Sequence, residues 1–319
     1  MRWLVTGAGG FVGRALVRRL LGQGLPGGPA PTQLLVTDRA LDGRPDDPRL
    51  VRRPGDLVDP ATWSSAFDHP LHGVVHLASV PGGEAEARPV LARAVNLDAT
   101  QALLDRCRAQ AEGGGPVPRF VFASSIAVYP PQLPPEVTDD TPAQPHLLYG
   151  LHKLTGELAV AHASRRGWVD GVSLRLPGIL ARPPQRTGQL SAFMSDFVRE
   201  LAAGRAFECP TSPTATIWAS SLPNVIDNLL HAATVDTSRL PASRCLLLPT
   251  LRVDMAGLAA AIGRVHGVPA PALVRWAPDE RTETLFGRYP PLCTPLAEGA
   301  GFAGDGHADT LARRALEAD

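Results

Sequence analysis

No charge of either sign dominates this chain. Lys+Arg and Asp+Glu are equal at 31 each in 319 residues, so the concentrated basic face that a nucleic-acid or acidic-membrane partner requires is missing. Cysteines are few and scattered, at Cys107, Cys209, Cys245 and Cys293, with no Cys-x-x-Cys pair. Free buried thiols in a reducing compartment are the expectation. No His-x-x-x-His pair or carboxylate cluster points to a metal site, so none is expected. No apolar run approaches the ~18 residues of a membrane span. The first residues read as a strand and not as a leader. A soluble, cytoplasmic protein is expected, and its length allows one large domain or one domain with a smaller partner. There are no internal repeats.

What is present starts at the N-terminus. Trp3-Leu4-Val5 predicts a short buried strand, Thr6-Gly7-Ala8-Gly9-Gly10-Phe11-Val12-Gly13 follows, and apolar residues over 14–21 recur at helical spacing. Strand, glycine turn and helix together make a dinucleotide fingerprint. Gly7 allows the tight turn, Gly10 lets the backbone approach a pyrophosphate, and Gly13 lets the helix pack on the sheet. The helix N-terminus at Phe11 and Val12 offers its amides to the phosphates. A second strand over 34–37 ends on Asp38. A carboxylate there either accepts hydrogen bonds from the adenosine ribose and repels a 2′-phosphate, favouring NAD over NADP, or serves as a turn residue or helix cap. Arg39 beside it also suits a phosphate.

A third strand over 50–52 leads to Asp56-Leu57, which either meets the adenine edge and face or belongs to a turn in which Asp59 caps a helix over 60–67. A fourth strand runs over 73–78, with His76 as a packed strand-end histidine. It ends in small residues, and Leu77-Ala78-Ser79 suits backbone lying against a cofactor. A long helical pattern spans 84–110 with Asn96 near its middle, either solvated or bracing the loop that carries Ser125. The fifth strand, 119–123, carries Ser124-Ser125 at its C-terminal end, where doubly wound sheets bind ligands. Tyr149-Gly150-Leu151-His152-Lys153 then places a phenol and an amine four residues apart on one helical face. The ammonium favours the phenolate, so Tyr149 is a candidate general base.

Beyond it, a sixth strand over 172–176 is followed by Pro177-Gly178-Ile179. Helical patterns at 190–203, 223–235, 253–266 and 308–318 alternate with short strands at 245–248 and 272–276, and Tyr289-Pro290-Pro291 reads as loop. The expected fold is α/β: a Rossmann-type doubly wound parallel sheet with a smaller C-terminal α/β lobe. Residues 1–177 would form the dinucleotide-binding domain, and 178–319 mainly the substrate lobe interleaved with late strands.

Taken in order, Thr-Gly-x-x-Gly-x-x-Gly, Asp56-Leu57, His76-Leu77-Ala78, Ser124-Ser125-Ile126-Ala127-Val128-Tyr129 and Tyr149-x-x-x-Lys153 resemble the extended short-chain dehydrogenase/reductase superfamily. Pro130 stands where that pattern has glycine. The resemblance implies catalytic Ser125, Tyr149 and Lys153, with cofactor contacts from Ser124, Asn96, Pro177 and Ile179 as well as the residues above. It also implies NAD as cofactor and a homodimer built on the helices around 84–110 and 145–165.

A closer resemblance, to the D-erythronate 2-dehydrogenase branch, rests on Gly83-Glu84-Ala85-Glu86-Ala87, Val95-Asn96-Leu97-Asp98 and Ser164-Arg165-Arg166-Gly167. Ser173-Leu174-Arg175-Leu176-Pro177, Ala181-Arg182-Pro183 and Asn228-Leu229-Leu230-His231-Ala232-Ala233 continue it. That branch implies NAD-dependent oxidation of the C2 hydroxyl of a short sugar acid. The chain departs from its pattern at Gly82, Thr187 and Pro223, so the cofactor chemistry carries over more fully than the substrate pocket. The expected substrate contacts are Ser125, Tyr149, Thr187 and Arg182, the last either a carboxylate partner or a surface arginine. The alternatives are a nucleotide-sugar 4-epimerase or dehydratase with tightly bound NAD, and a dinucleotide-sensing protein without turnover. Three tyrosines in the whole chain argue against the large basic and aromatic cleft the first would need, and the intact Tyr149–Lys153 pair argues against the second.

Overall fold

The computed structural model describes residues 1–41, 43, 46–183 and 191–317. The chain divides into two compact units: Met1–Tyr129 with Ala143–Arg175 and Ile226–Leu247, and Pro130–Pro142 with Leu176–Val225 and Leu248–Asp319.

In the first unit, strands β1 (Arg2–Thr6), β2 (Gln33–Asp38), β3 (Leu50–Pro54), β4 (Gly73–His76), β5 (Arg119–Ser125) and β6 (Asp170–Leu176) are interleaved with helices. The helices are α1 (Phe11–Gly22), α2 (Gly82–Ala87), α3 (Pro89–Arg93), α4 (Ala99–Glu112) and α5 (Leu148–Arg165). The strands join Cys245–Leu247 (β10) in one seven-stranded sheet ordered β10-β6-β5-β4-β1-β2-β3. This is the Rossmann-type, doubly wound parallel sheet expected. Crossover helices cover both faces, which is why the central strands are apolar at successive positions: Trp3, Leu4 and Val5 are all buried. Strand order reverses between β1 and β4, whose carboxyl ends, with Thr6 and His76 as register partners, are the switch point at which such sheets bind ligands.

Two expectations are corrected. The 84–110 helix is broken into α2, α3, one π-helical turn at Ala94–Asp98, and α4. Pro89 supplies no amide and pushes Arg88 out of helical geometry, to φ −134° and ψ 64°. The 60–67 helix is two 3₁₀ turns, Pro60–Thr62 and Ser64–Phe67. Trp63 separates them at φ −131°, buried with its indole donating to the Leu57 carbonyl at 2.9 Å.

The second unit has strands β7 (Gly178–Ile179), β8 (Phe207–Cys209), β9 (Thr216–Ser220), β11 (Leu251–Asp254) and β12 (Val274–Trp276). They form a three-stranded sheet, β11-β9-β7, and a two-stranded one, β12-β8. Its helices are α6 (Ala192–Ala202), α8 (Met255–His266), α9 (Glu280–Phe286), α10 (Pro295–Gly299) and α11 (Ala308–Arg314), while α7 (Leu222–Ala232) spans the boundary between the units. Phe197, Leu201, Ile217, Leu258 and Leu311 build its core. Among the described residues, no helix is long and apolar enough to cross a membrane.

Candidate active site

The glycine turn is built on close approach. Gly7 holds φ +68°, and a Cβ there would lie 2.5 Å from the Ala78 amide nitrogen; a Cβ on Gly13 would lie 2.2 Å from the Gly7 carbonyl oxygen. No other residue type fits both positions without moving the backbone. α1 starts with Gly10 as N-cap, without a side-chain cap and without an acidic residue in its first turn. Neither a side-chain cap nor a first-turn carboxylate of α1 answers the partial positive charge of that helix end.

Asp38 closes the turn from the side. Its Oδ2 accepts from the Gly9 amide at 2.8 Å and its Oδ1 from the Arg39 amide at 2.7 Å, and each oxygen keeps acceptor capacity for a hydroxyl. Asp56 accepts from the Val58 amide at 3.1 Å. Asp59 accepts from the Ala61 amide at 3.0 Å, which is the capping role considered for it. Leu57 is buried with Leu4, Leu35 and Trp63.

A buried polar chain ties this turn to the segment after β4. The Ala78 amide reaches Thr6 Oγ1 at 3.4 Å, Thr6 Oγ1 meets His76 Nδ1 at 2.6 Å, and His76 Nε2 meets Thr100 Oγ1 at 2.8 Å. Thr100 donates its hydroxyl hydrogen to the Asn96 carbonyl at 2.8 Å, so His76 Nε2 must carry the proton and Nδ1 must accept. Burial pushes the His76 imidazole down to about 3, with the Lys153 charge acting in the same direction. Asn96 is buried: its Oδ1 accepts from the Val80 amide at 2.7 Å and its Nδ2 donates to the Val80 carbonyl at 3.0 Å. It braces the loop after β4, which contains Leu77, Ala78 and Ser79, and not the loop carrying Ser125.

α5 carries Tyr149 and Lys153. Gly150 and Gly156 let it lie against β5 and the turn that follows, since a Cβ would sit 2.1 Å from the Ala127 carbonyl oxygen in one case and 2.4 Å from the Phe122 ring in the other. Lys153, between them, is buried. Its Nζ donates to the Ala123 carbonyl at 2.7 Å and lies 5.0 Å from the centre of the Phe122 ring and 5.5 Å from that of Tyr149. Burial pushes the Lys153 ammonium down to about 7, and the Glu157 carboxylate pulls the other way. Ser125 is half-buried and extended, its Oγ accepting from the Ala127 amide at 3.1 Å, which leaves its hydrogen to donate.

Ser125, Tyr149, Lys153 and the glycine turn thus belong to the first unit, and Pro177, Ile179 and Arg182 to the second. Pro177 and Ile179 are buried, and Arg182 is half-buried, directly after Ala181 at φ +55°. Thr187 lies outside the described residues. Among those residues, no group of three or more His, Cys, Asp and Glu could hold a metal ion.

Sequence reasoning missed Glu157, Arg175 and Tyr129. Glu157, one helical turn beyond Lys153, accepts from Ser124 Oγ and is gripped by Arg175. The i, i+4 spacing of Lys153 and Glu157 was the signal available.

Residues 3–220 match the NAD dependent epimerase/dehydratase family. The chain belongs to this family. Membership matches the resemblance carried by the motif series. Among its relatives, a D-erythronate dehydrogenase from Cupriavidus necator is 39% identical over 322 residues, covering 99% of this chain and 98% of that protein. Another from Haemophilus influenzae is 28% identical over the full length of both. A solved nucleoside-diphosphate-sugar epimerase from Agrobacterium tumefaciens superposes with a TM-score of 0.90 at 30% identity, covering 98% of this chain and 92% of that one.

NAD is the cofactor of this epimerase/dehydratase-family enzyme, and its residues fit it. No side chain fits at Gly7, Gly9 or Gly13, the start of α1 has no side-chain cap, and Asp38 supplies a carboxylate at the end of β2.

Proposed function

We propose that this enzyme oxidises the C2 hydroxyl of a short, D-erythronate-like sugar acid to the 2-oxo acid, with Tyr149 as general base. The observation that carries the proposal is the Tyr149–Lys153 pair on α5, tied through Lys153 to Ala123, two residues before Ser125. The full-length similarity to D-erythronate dehydrogenases supports the substrate class.

In this scheme the amides of Phe11, Val12 and Gly13 take the pyrophosphate and Asp38 the adenosine ribose. Asp56 and Leu57 meet the adenine, and Leu77, Ala78, Ser79, Ser124, Pro177 and Ile179 complete the cofactor contacts. When bound, NAD supplies the hydride acceptor and a positive charge. Tyr149 Oη takes the hydroxyl proton, and a charged Lys153 stabilises the phenolate that does so. Ser125 Oγ donates to the reacting oxygen and holds it as carbonyl character grows. Arg182 pairs with the substrate carboxylate. The O–H bond breaks to give its proton and the C2–H bond to give its hydride, so each turnover yields the oxo acid, NADH and a proton.

A homodimer through α2, α3 and α5 is part of the proposal. Leu147, Leu151 and Leu158 are 50%, 48% and 64% exposed and Val90 is 82% exposed, an apolar face suited to a second copy of the chain. Light scattering should give twice the chain mass, and a Leu151→Glu, Leu158→Glu protein the mass of one chain.

The superposition on the nucleoside-diphosphate-sugar epimerase supports a second reading, a nucleotide-sugar epimerase. A panel of four- to six-carbon sugar acids, each with NAD and separately with NADP, separates the two by reduced-nicotinamide absorbance. Signal with a sugar acid and NAD is expected. Silence with every acid, alongside conversion of a nucleotide sugar, would overturn the proposal.

A further inference from the structure

Behind Ser124 lies a buried polar cluster whose other members, Glu157, Arg175 and Tyr129, the catalytic scheme leaves unused. Glu157 Oε1 accepts from Ser124 Oγ and from Arg175 Nε at 3.0 Å, and Glu157 Oε2 accepts from Arg175 Nη2 at 2.8 Å. Arg175 Nη1 donates to the Tyr129 hydroxyl at 2.9 Å, and its guanidinium lies 5.1 Å from the centre of that ring. The side chains of Arg175 and Glu157 are only 14% and 4% exposed. The cluster joins three elements: the end of β5, the middle of α5 and the end of β6.

Its placement relative to Lys153 gives it a role. Lys153 and Glu157 are one helical turn apart on the buried face of α5, and they grip consecutive residues of β5, the Ala123 carbonyl and the Ser124 hydroxyl. A buried bidentate ion pair returns little net stability compared with an apolar replacement, so its effect on neighbouring charges is where its value lies. The charged and titratable groups around Lys153 are Glu157 on its own helix, Tyr149 one turn back, and His76 of β4, neutral because of its burial. Those around Glu157 are Arg175 of β6, Lys153, the Cys245 thiol of β10, and Tyr129 through Arg175. With Arg175 paired, the carboxylate's pull on Lys153 is partly cancelled. Without Arg175 it would act in full.

We propose that Glu157 and Arg175 are positioning residues for the base pair. The carboxylate anchors α5 to the strand end that carries Ser125, and the ion pair sets the field in which Tyr149 and Lys153 share their exchangeable proton. This rests on Tyr149 being the base. Because the two halves of the pair carry opposite charges, their removal has opposite consequences. Glu157→Gln leaves the Arg175 cation unbalanced, and the shared proton departs at lower pH. Arg175→Met leaves the Glu157 anion unbalanced, and the proton is held to higher pH. The double variant returns close to the parent.

The test is tyrosinate difference absorbance against pH, on the full chain with saturating NAD, alongside the pH profile of kcat/KM with D-erythronate. The chain has three tyrosines, so subtracting a Tyr149→Phe protein isolates the signal of Tyr149. The expected result is a displacement of about half a pH unit or more in opposite directions for the two single variants, roughly threefold in rate on the rising limb, with restoration in the double. Shifts in the same direction, or none in folded proteins, would reduce the cluster to a packing role. If Arg175→Met does not fold, Glu157→Gln must still move the signal to lower pH while Arg175→Lys, which keeps the charge, leaves it in place; any other pattern overturns the proposal. If the parent and Tyr149→Phe titrate identically, the assignment of Tyr149 as base fails. A parent signal that the Glu157 and Arg175 variants do not move sinks this inference alone.

Discussion

Lys153 donates its hydrogen bond to the carbonyl of Ala123, two residues before Ser125, while its nitrogen stands 5.5 Å from the centre of the Tyr149 ring. One buried amine therefore connects the helix that carries Tyr149 to the strand that carries Ser125. Burial pushes its ammonium down to about 7, while the Glu157 carboxylate one turn along the helix pulls the other way.

The first prediction concerns the proposed base. Tyr149→Phe removes one oxygen from a half-buried ring and leaves the glycine turn untouched. Turnover should fall by about 10³-fold or more, while NAD affinity, followed by tryptophan quenching, stays within about threefold. Turnover within tenfold of the parent would remove Tyr149 from the mechanism.

A second prediction follows from His76. Its folded imidazole titrates at about 3, against an ordinary value near 6.5. Between those pH values the unfolded chain binds a proton that the folded chain does not. Its contribution is thus complete above about pH 6.5 and is lost as pH falls toward 3, a few kcal/mol in all. Urea unfolding at pH 7 and pH 4 should show a larger acid loss in the parent than in His76→Gln. Equal losses would mean that the Thr6–His76–Thr100 chain does not hold the ring neutral.

Cofactor choice gives a third. Asp38 braces Gly9 and presents its charge at the end of β2, the place proposed for the adenosine ribose, with Arg39 adjacent. Asp38→Ser should raise the ratio of kcat/KM with NADP to that with NAD by about tenfold or more. It should also weaken NAD, because the Gly9 amide loses its charged partner. An unchanged ratio would move the specificity elsewhere.

The glycine turn was legible because strand, turn and helix lie within the first 22 residues, and each uses a local rule. The α5 pair was legible for the same reason. The break at Arg88-Pro89 was also written locally, but the apolar pattern over 84–110 is continuous enough to hide it; φ −134° at Arg88 shows the proline rule prevailing over periodicity. Glu157, Arg175 and Ser124 could not be joined beforehand, because they come from three elements whose adjacency is set by sheet order alone. β12 falls inside the strand read at 272–276, but its partner β8, three residues lying more than sixty positions earlier, is too short for an alternating pattern to register.

The central claim is that the hydrogen leaving C2 of a sugar acid arrives on the nicotinamide while Tyr149 takes the hydroxyl proton. It is tested most directly with D-erythronate carrying deuterium at C2, incubated with NAD and the enzyme, followed by mass analysis of both products. The account predicts deuterated NADH, a 2-oxo acid without the label, and neither product from Tyr149→Phe. Unlabelled NADH together with deuterium retained in the oxidised acid would contradict it.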